Sequence, residues 1–413
     1  MTKASPHSKK SMYFIFATIM LDMIGIGLIM PVLPDVIRRF ISDPGQVTEN
    51  FGYFIAIYAV MQFVASPILG GLSDQFGRRP ILLGSLLGAG IDYIFMALAP
   101  TLNLLFLGRV IAGLTGASMT VANSYIADIS DDSNRSSNFG MIGAAFGIGF
   151  IAGPIIGGLL GHFGPHMPFY GAAVLNILNF LFGLFILPES LKPENRRVVQ
   201  WKKLNPFTTI INTMKIPGMG LFVVTYAFLF LAGNVHPSVW TLYTESKFGW
   251  NSIQVGVSLS FVGLIYGLSQ SLLTTKLVPK WGEQKSLIIG IFFNAFGFLL
   301  YGIAPFGWMM YGIMVVSALQ GLSMPCLQSI MTKKVDPHYQ GELQGGLVSV
   351  GSVTAILAPI IYTNMFNWGT SKQETLLFGT PYYVATLFAL AALFLVQKSL
   401  SGSAQQEPNK LVG

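Results

Sequence analysis

The sequence predicts an all-α polytopic membrane protein: twelve transmembrane helices in two six-helix bundles related by a pseudo-twofold axis. Three observations carry the prediction. Charged residues make up only 10% of the 413, and hydrophobic ones 52%, whereas a soluble chain carries about 25% charged residues. The apolar residues gather into twelve stretches, each near the roughly 20 residues that a helix needs to cross a bilayer. The second half of the chain repeats the first at a constant offset of 205 residues.

The stretches run over 12–33, 51–72, 80–99, 101–125, 137–160, 167–187, 218–241, 251–275, 285–304, 307–330, 343–366 and 378–397. Lys9 and Lys10 precede the first. It is too long for a signal-peptide core and is read as a span. Lipid offers no partner to a backbone N–H or C=O, so each span closes its hydrogen bonds internally as a helix. Pro and Gly mark the connections, as at Pro100 and at Pro305 with Gly307. With the N-terminus inside, nineteen Lys and Arg fall in cytoplasmic segments and four, Arg38, Arg39, Lys247 and Lys372, fall outside. That bias puts both termini in the cytoplasm. The longest connection is basic and polar, so the expected organisation is a bundle over 1–190, a linker over 191–217, a bundle over 218–400 and a tail over 401–413.

The repeat rests on residues that apolar composition does not produce by chance. Gly116, Ser118, Ser124, Asp131, Gly140 and Pro154 match Gly321, Ser323, Ser329, Asp336, Gly345 and Pro359. Six spans separate the copies, so the halves share one orientation. This implies an axis along the membrane normal and a site where the halves meet near the midplane.

Composition also excludes. Net charge is +7, but the basic residues sit in short connections between spans, so no nucleic-acid partner is indicated. The lone Cys326 forms no internal disulfide and no metal cluster. No phosphate loop is present, so no ATP coupling is indicated.

Two motifs stand out. Between spans 2 and 3 the chain reads Gly70-Gly71-Leu72-Ser73-Asp74-Gln75-Phe76-Gly77-Arg78-Arg79-Pro80. Gly70 and Gly77 allow close approach and a tight turn. Asp74 suits a nearby helix N-terminus, and Arg78 and Arg79 are expected to pair with carboxylates at helix ends, Asp128 first among them. In span 5, Gly149, Gly153, Gly157 and Gly161 recur every four residues, with Pro154 and Gly158 beside them. Small residues at that spacing let membrane helices pack backbone to backbone. The first motif resembles the signature loop of the major facilitator superfamily, and the second the antiporter motif of its drug–proton exchangers. Leu21 to Pro34, Ile91-Asp92-Tyr93, Leu107 to Gly116, Phe248 to Ser252 and Gly341 to Gly345 are similar to the tetracycline–proton antiporters.

Charges within spans are costly and functional by default. Asp22, Asp92 and Arg109 are the clear cases. Asp22 and Asp92 are candidate proton carriers, and Arg109 matches the family's intramembrane arginine. The resemblance also implies an acidic residue in span 9 and a histidine in span 8, where this chain carries Asn294 and Tyr266. Gln62, Asn123, Gln270, Asn294, Gln320 and Gln328 offer uncharged hydrogen bonds to a substrate, Trp240, Phe261 and Phe293 an apolar wall, and Tyr266 is a further substrate-binding candidate. The expectation is a proton-coupled exporter of amphipathic small molecules working by alternating access. A carrier of a native metabolite, siderophore or lipid is the alternative, and a non-transporting receptor a further one. The chain is read as a monomer of the bacterial inner membrane. It is not an enzyme, and it has no metal and no cofactor beyond the coupling proton.

Overall fold

A computed structural model describes residues 6–116, 118–130, 135–198, 206–335 and 340–406. Lys3, Asp131, Lys202, Lys203, Asp336 and Lys410 lie outside them. The described residues form α1 (Pro6–Ile29), α2 (Leu33–Arg38), α3 (Pro44–Phe76), α4 (Arg78–Leu98), α5 (Leu102–Thr115), α6 (Ser118–Ile129), α7 (Arg135–His162) and α8 (Met167–Ile186). After these come α9 (Pro206–Lys215), α10 (Gly220–Gly233), α11 (Val235–Phe248), α12 (Ser252–Leu268), α13 (Thr274–Trp281) and α14 (Glu283–Ile303). The last are α15 (Met309–Val316), α16 (Ser323–Lys334), α17 (Gln340–Ser371) and α18 (Thr380–Gln406). Among the described residues, eleven continuous or broken helical stretches are long and apolar enough to span a membrane. The twelfth crossing is the shorter apolar α12, which a π-helical turn over Ser269–Leu273 joins to α13.

Local chemistry sets many of the boundaries. Asp43 caps α3, its carboxylate accepting the Gln46 N–H at 2.8 Å, and Pro44 holds the first helical position. Thr101 accepts the Leu104 N–H and starts α5. Gly249 closes α11 in the left-handed region at φ +67. The span expected over 101–125 breaks after Thr115, and its counterpart over 307–330 passes through a 3-10 turn at Ser317–Leu322. Gly116 and Gly321, 205 residues apart, sit at these breaks. The span expected over 218–241 is interrupted at Asn234 and runs on to Phe248.

The chain divides into two compact units, Met1–Leu204 with Trp250–Gly263, and Asn205–Gly249 with Leu264–Gly413. The repeat is visible within each. α4 and α14 are both 21 residues long and start 205 residues apart. Each follows a single glycine at positive φ, Gly77 at +107 and Gly282 at +79. The core of the first unit includes Leu82, Leu86, Val121, Ala122 and Ile126. That of the second includes Leu287, Ile291, Cys326, Leu327 and Met331, the same positions one repeat later. In lipid such contacts stabilise mainly through close packing, since the acyl chains are as apolar as leucine.

Candidate functional site

In the first unit, α7 lays two glycine-bearing faces against two helices. A Cβ on Gly149 would stand 2.5 Å from the Met20 carbonyl oxygen, and one on Gly153 2.8 Å from that of Ile24. One on Gly157 would collide with the Leu28 carbonyl. The backbones of α1 and α7 therefore touch over three turns. Gly158 and Pro154 meet α12: a Cβ on Gly158 would lie 2.6 Å from the Ser252 carbonyl oxygen, and one on Gly256 would collide with that of Pro154. Gly149, Gly153 and Gly157 of the expected stripe thus face α1, while Pro154 and Gly158 beside it face α12.

That packing fixes α1 beside a cavity of about 250 Å³ inside the first unit. Four helices supply most of its lining, each with residues at helical spacing: Asp22, Ile26 and Ile29 from α1; Phe54, Tyr58 and Gln62 from α3; Ser85, Ala89 and Asp92 from α4; Arg109 and Ala112 from α5. Asp22 is half-buried and Asp92 buried. The Arg109 guanidinium lies over two rings, 4.7 Å from the centroid of Phe54 and 4.4 Å from that of Tyr58. Such stacking holds a cation in an apolar setting without neutralising it. Gln62 donates to the Gly116 carbonyl at 3.1 Å and lies 3.3 Å from the Tyr58 hydroxyl. Arg109 Nε and Asp92 Oδ1 are buried and have no hydrogen-bond partner among the described residues. Tyr58 and Tyr93 line the same cavity as Asp22, Asp92 and Arg109. One low-dielectric chamber therefore gathers the three intramembrane charges and leaves polar atoms open to a proton or a ligand.

A second cluster surrounds Gly77. The expected loop between spans 2 and 3 is a single residue: Gly70 to Phe76 complete α3, and Arg78 begins α4. A Cβ on Gly77 would collide with the Glu189 carboxylate, and its positive φ also favours glycine. Glu189 accepts the N–H groups of Arg78 at 2.8 Å and Arg79 at 3.3 Å, capping α4 from 111 and 110 residues away. Asp74 is ion-paired with Arg78. Arg78 is 8% exposed and also reaches Asp128 at 3.1 Å. Arg79 donates to the Leu184 carbonyl at 2.8 Å. One repeat later, Glu283 and Lys333 occupy the positions of Arg78 and Asp128 and pair at 2.6 Å. The two units thus carry the same bridge with its signs exchanged.

The remaining candidates are dispersed. Asn123 is exposed and does not line the cavity. Phe261 is half-buried in the part of α12 that packs with the first unit. In the second unit Trp240 is buried in an aromatic group with His236 and Tyr301. Asn294 is 8% exposed, with Oδ1 unpartnered among the described residues. Tyr266 is 51% exposed. Gln328 approaches the Tyr226 hydroxyl, and Gln320 lies in the 3-10 turn. The Gln270 side chain lies outside the described residues.

The Major Facilitator Superfamily model matches residues 15–359. The chain belongs to the major facilitator superfamily. Among its relatives, the class C tetracycline resistance protein of Escherichia coli is 40% identical over 93% of this chain and 97% of its own length. The class B protein of the same organism is 37% identical over 94% and 96%. The human organic anion transporter TETRAN shares the fold at 20% identity, with a TM-score of 0.72 over 95% of this chain and all of that one. The fold is the twelve-helix facilitator fold. The chain is a multi-pass membrane transporter, not an enzyme, and takes a small-molecule substrate.

Within this facilitator, three residues of the two clusters escaped sequence reasoning. Tyr58 and Tyr93 line the charged cavity, and Glu189 caps α4. The spacing of Tyr58 four residues before Gln62 held a signal for the first. Tyr93 follows Asp92 directly and was legible only as part of a motif. A carboxylate just after span 6 carried no signal at all.

Proposed function

We propose that this transporter is a proton-coupled exporter of tetracycline-like amphipathic molecules. It works as a monomer by alternating access in the bacterial inner membrane, with both termini cytoplasmic. Residues 1–190 and 218–400 are its two bundles and 191–217 its linker. The observation that carries the reading is the similarity to tetracycline resistance proteins over more than nine-tenths of the chain. The gathering of Asp22, Asp92 and Arg109 in one cavity supports proton coupling. An exchanger needs a group whose protonation and whose engagement with substrate exclude each other, and a carboxylate facing a fixed cation in a dry chamber suits that task. The excess of Lys and Arg in alternate connections supports the orientation.

Asn294 and Tyr266 favour a second reading of the substrate. Neither offers a charge or an imidazole to a metal-chelated ligand, so an uncharged or cationic amphiphile suits the second unit better. The test is uptake into proteoliposomes with an imposed pH gradient, comparing tetracycline with and without magnesium and with a hydrophobic cation. Accumulation that collapses with the gradient supports the reading. Equal uptake with and without the gradient contradicts it.

A further inference from the structure

The helix α9 was expected to be plain linker, yet it presents three distinct faces. At 3.6 residues per turn, Thr209 and Thr213 share the first. The Thr213 hydroxyl lies 3.0 Å from the Glu342 carbonyl, and a Cβ on Gly346 would collide with Thr213. A Cβ on Gly345 would stand 3.3 Å from Thr209. This face is seated on the opening turns of α17. The second face carries Phe207, Ile211 and Met214, spaced i, i+4 and i+7 and 60%, 53% and 45% exposed. The third carries Thr208, Asn212 and Lys215, all exposed.

We infer that α9 lies in the bilayer interface, with Phe207, Ile211 and Met214 among the acyl chains and Lys215 against anionic headgroups. Two observations commit the apolar face to lipid. The first is its tether. α10 enters the membrane at Gly220, and Ile216 and Met219 between them are buried in the core of the second unit. Four extended residues reach about 14 Å, so α9 stays near the surface where that span begins. The second is charge. From Asn195 to Thr244 the sequence has Arg196, Arg197, Lys202, Lys203 and Lys215 and no acidic residue. Basic residues beside an amphipathic helix draw it to anionic lipid. Because Thr213 and Gly346 leave no clearance, the same seat holds the first turns of α17 at the surface, and lipid charge acts on that span. The inference needs no particular substrate.

The test uses the full-length protein in nanodiscs. With Cys326→Ser as background, single cysteines at 211 and 214 and at 208 and 212 carry an environment-sensitive fluorophore. Labels at 211 and 214 should emit at shorter wavelength, be quenched by doxyl lipids and resist iodide. Labels at 208 and 212 should show the reverse. Replacing part of the phosphatidylcholine with phosphatidylglycerol should enlarge the blue shift at 211, and Lys215→Gln should reduce that gain. If one variant fails to fold, Met214→Cys stands in for Ile211→Cys. Iodide reaching 211 and 214 as readily as 212 would overturn the assignment. So would protection at 211 and 214 from both iodide and doxyl lipid, which would mean that protein, such as a second copy, covers the face. No response to phosphatidylglycerol would overturn the headgroup contact. Transport is not read out, so failure here is separate from failure of the exporter reading.

Discussion

Gly153→Ala inserts one methyl group where α1 and α7 touch. Its carbon would stand 2.8 Å from the Ile24 carbonyl oxygen, 2.9 Å from Gly27 Cα and 3.1 Å from Ile24 Cα, where ordinary contact is 3.4–4 Å. All three neighbours are backbone, so no rotamer change relieves the overlap. The helices must part by roughly 0.5–1 Å, and overpacking of this kind costs about 1–3 kcal/mol. A cost of about 1.4 kcal/mol is tenfold in an equilibrium constant. Gly147→Ala is the control, since nothing lies within 4 Å of its Cβ position. The assay is the temperature at which half of the detergent-solubilised protein is lost from the monodisperse peak. Gly153→Ala should lower it and Gly147→Ala leave it unchanged. A wild-type temperature for Gly153→Ala would refute the packing argument.

Further outcomes follow from the same geometry. Glu189→Gln should weaken the start of α4, since a carboxylate at a helix N-terminus contributes about 0.3–1 kcal/mol; transport should slow about two- to fivefold with normal insertion, and unchanged transport would show the cap to be dispensable. Asp74→Asn, which removes one partner of Arg78, should likewise slow transport without loss of insertion, checked by initial rates at matched expression. Tags at Lys10 and within 192–203 should be shielded in intact cells and one near Gln46 exposed; surface labelling of 192–203 would overturn the orientation.

The fold was legible because membrane spans announce themselves by composition, and because residues such as Gly116 and Pro154 match Gly321 and Pro359 in the repeat. Interruptions were less legible. Nothing in hydropathy reports the break at Asn234 or the single-residue turn at Gly77, since both depend on backbone geometry within otherwise apolar or motif-rich stretches. Asp22, Asp92 and Arg109 stood out because charge in a span is rare. Tyr58 did not, because aromatics in spans are common and its task as a platform for Arg109 arises only once α3 and α5 pack together. The Glu189 cap depends on a contact spanning 111 residues. The helix α9 read as linker because its ten residues mix Thr and Asn with an apolar stripe too short to register as a span.

The account turns on whether the carboxylates of the cavity carry the coupling proton, and Asp22 is the first choice because it is half-buried and lines the same cavity as an arginine held by two rings. The decisive measurement is substrate accumulation in vesicles with defined internal and external pH, for wild type, Asp22→Asn and Asp92→Asn, each first shown to insert normally. The account predicts that Asp22→Asn loses accumulation driven by the pH gradient while downhill exchange of substrate persists, and that Asp92→Asn loses less. Equal losses would assign the proton to both carboxylates together. Accumulation by Asp22→Asn that follows the gradient as in the wild type would contradict the account.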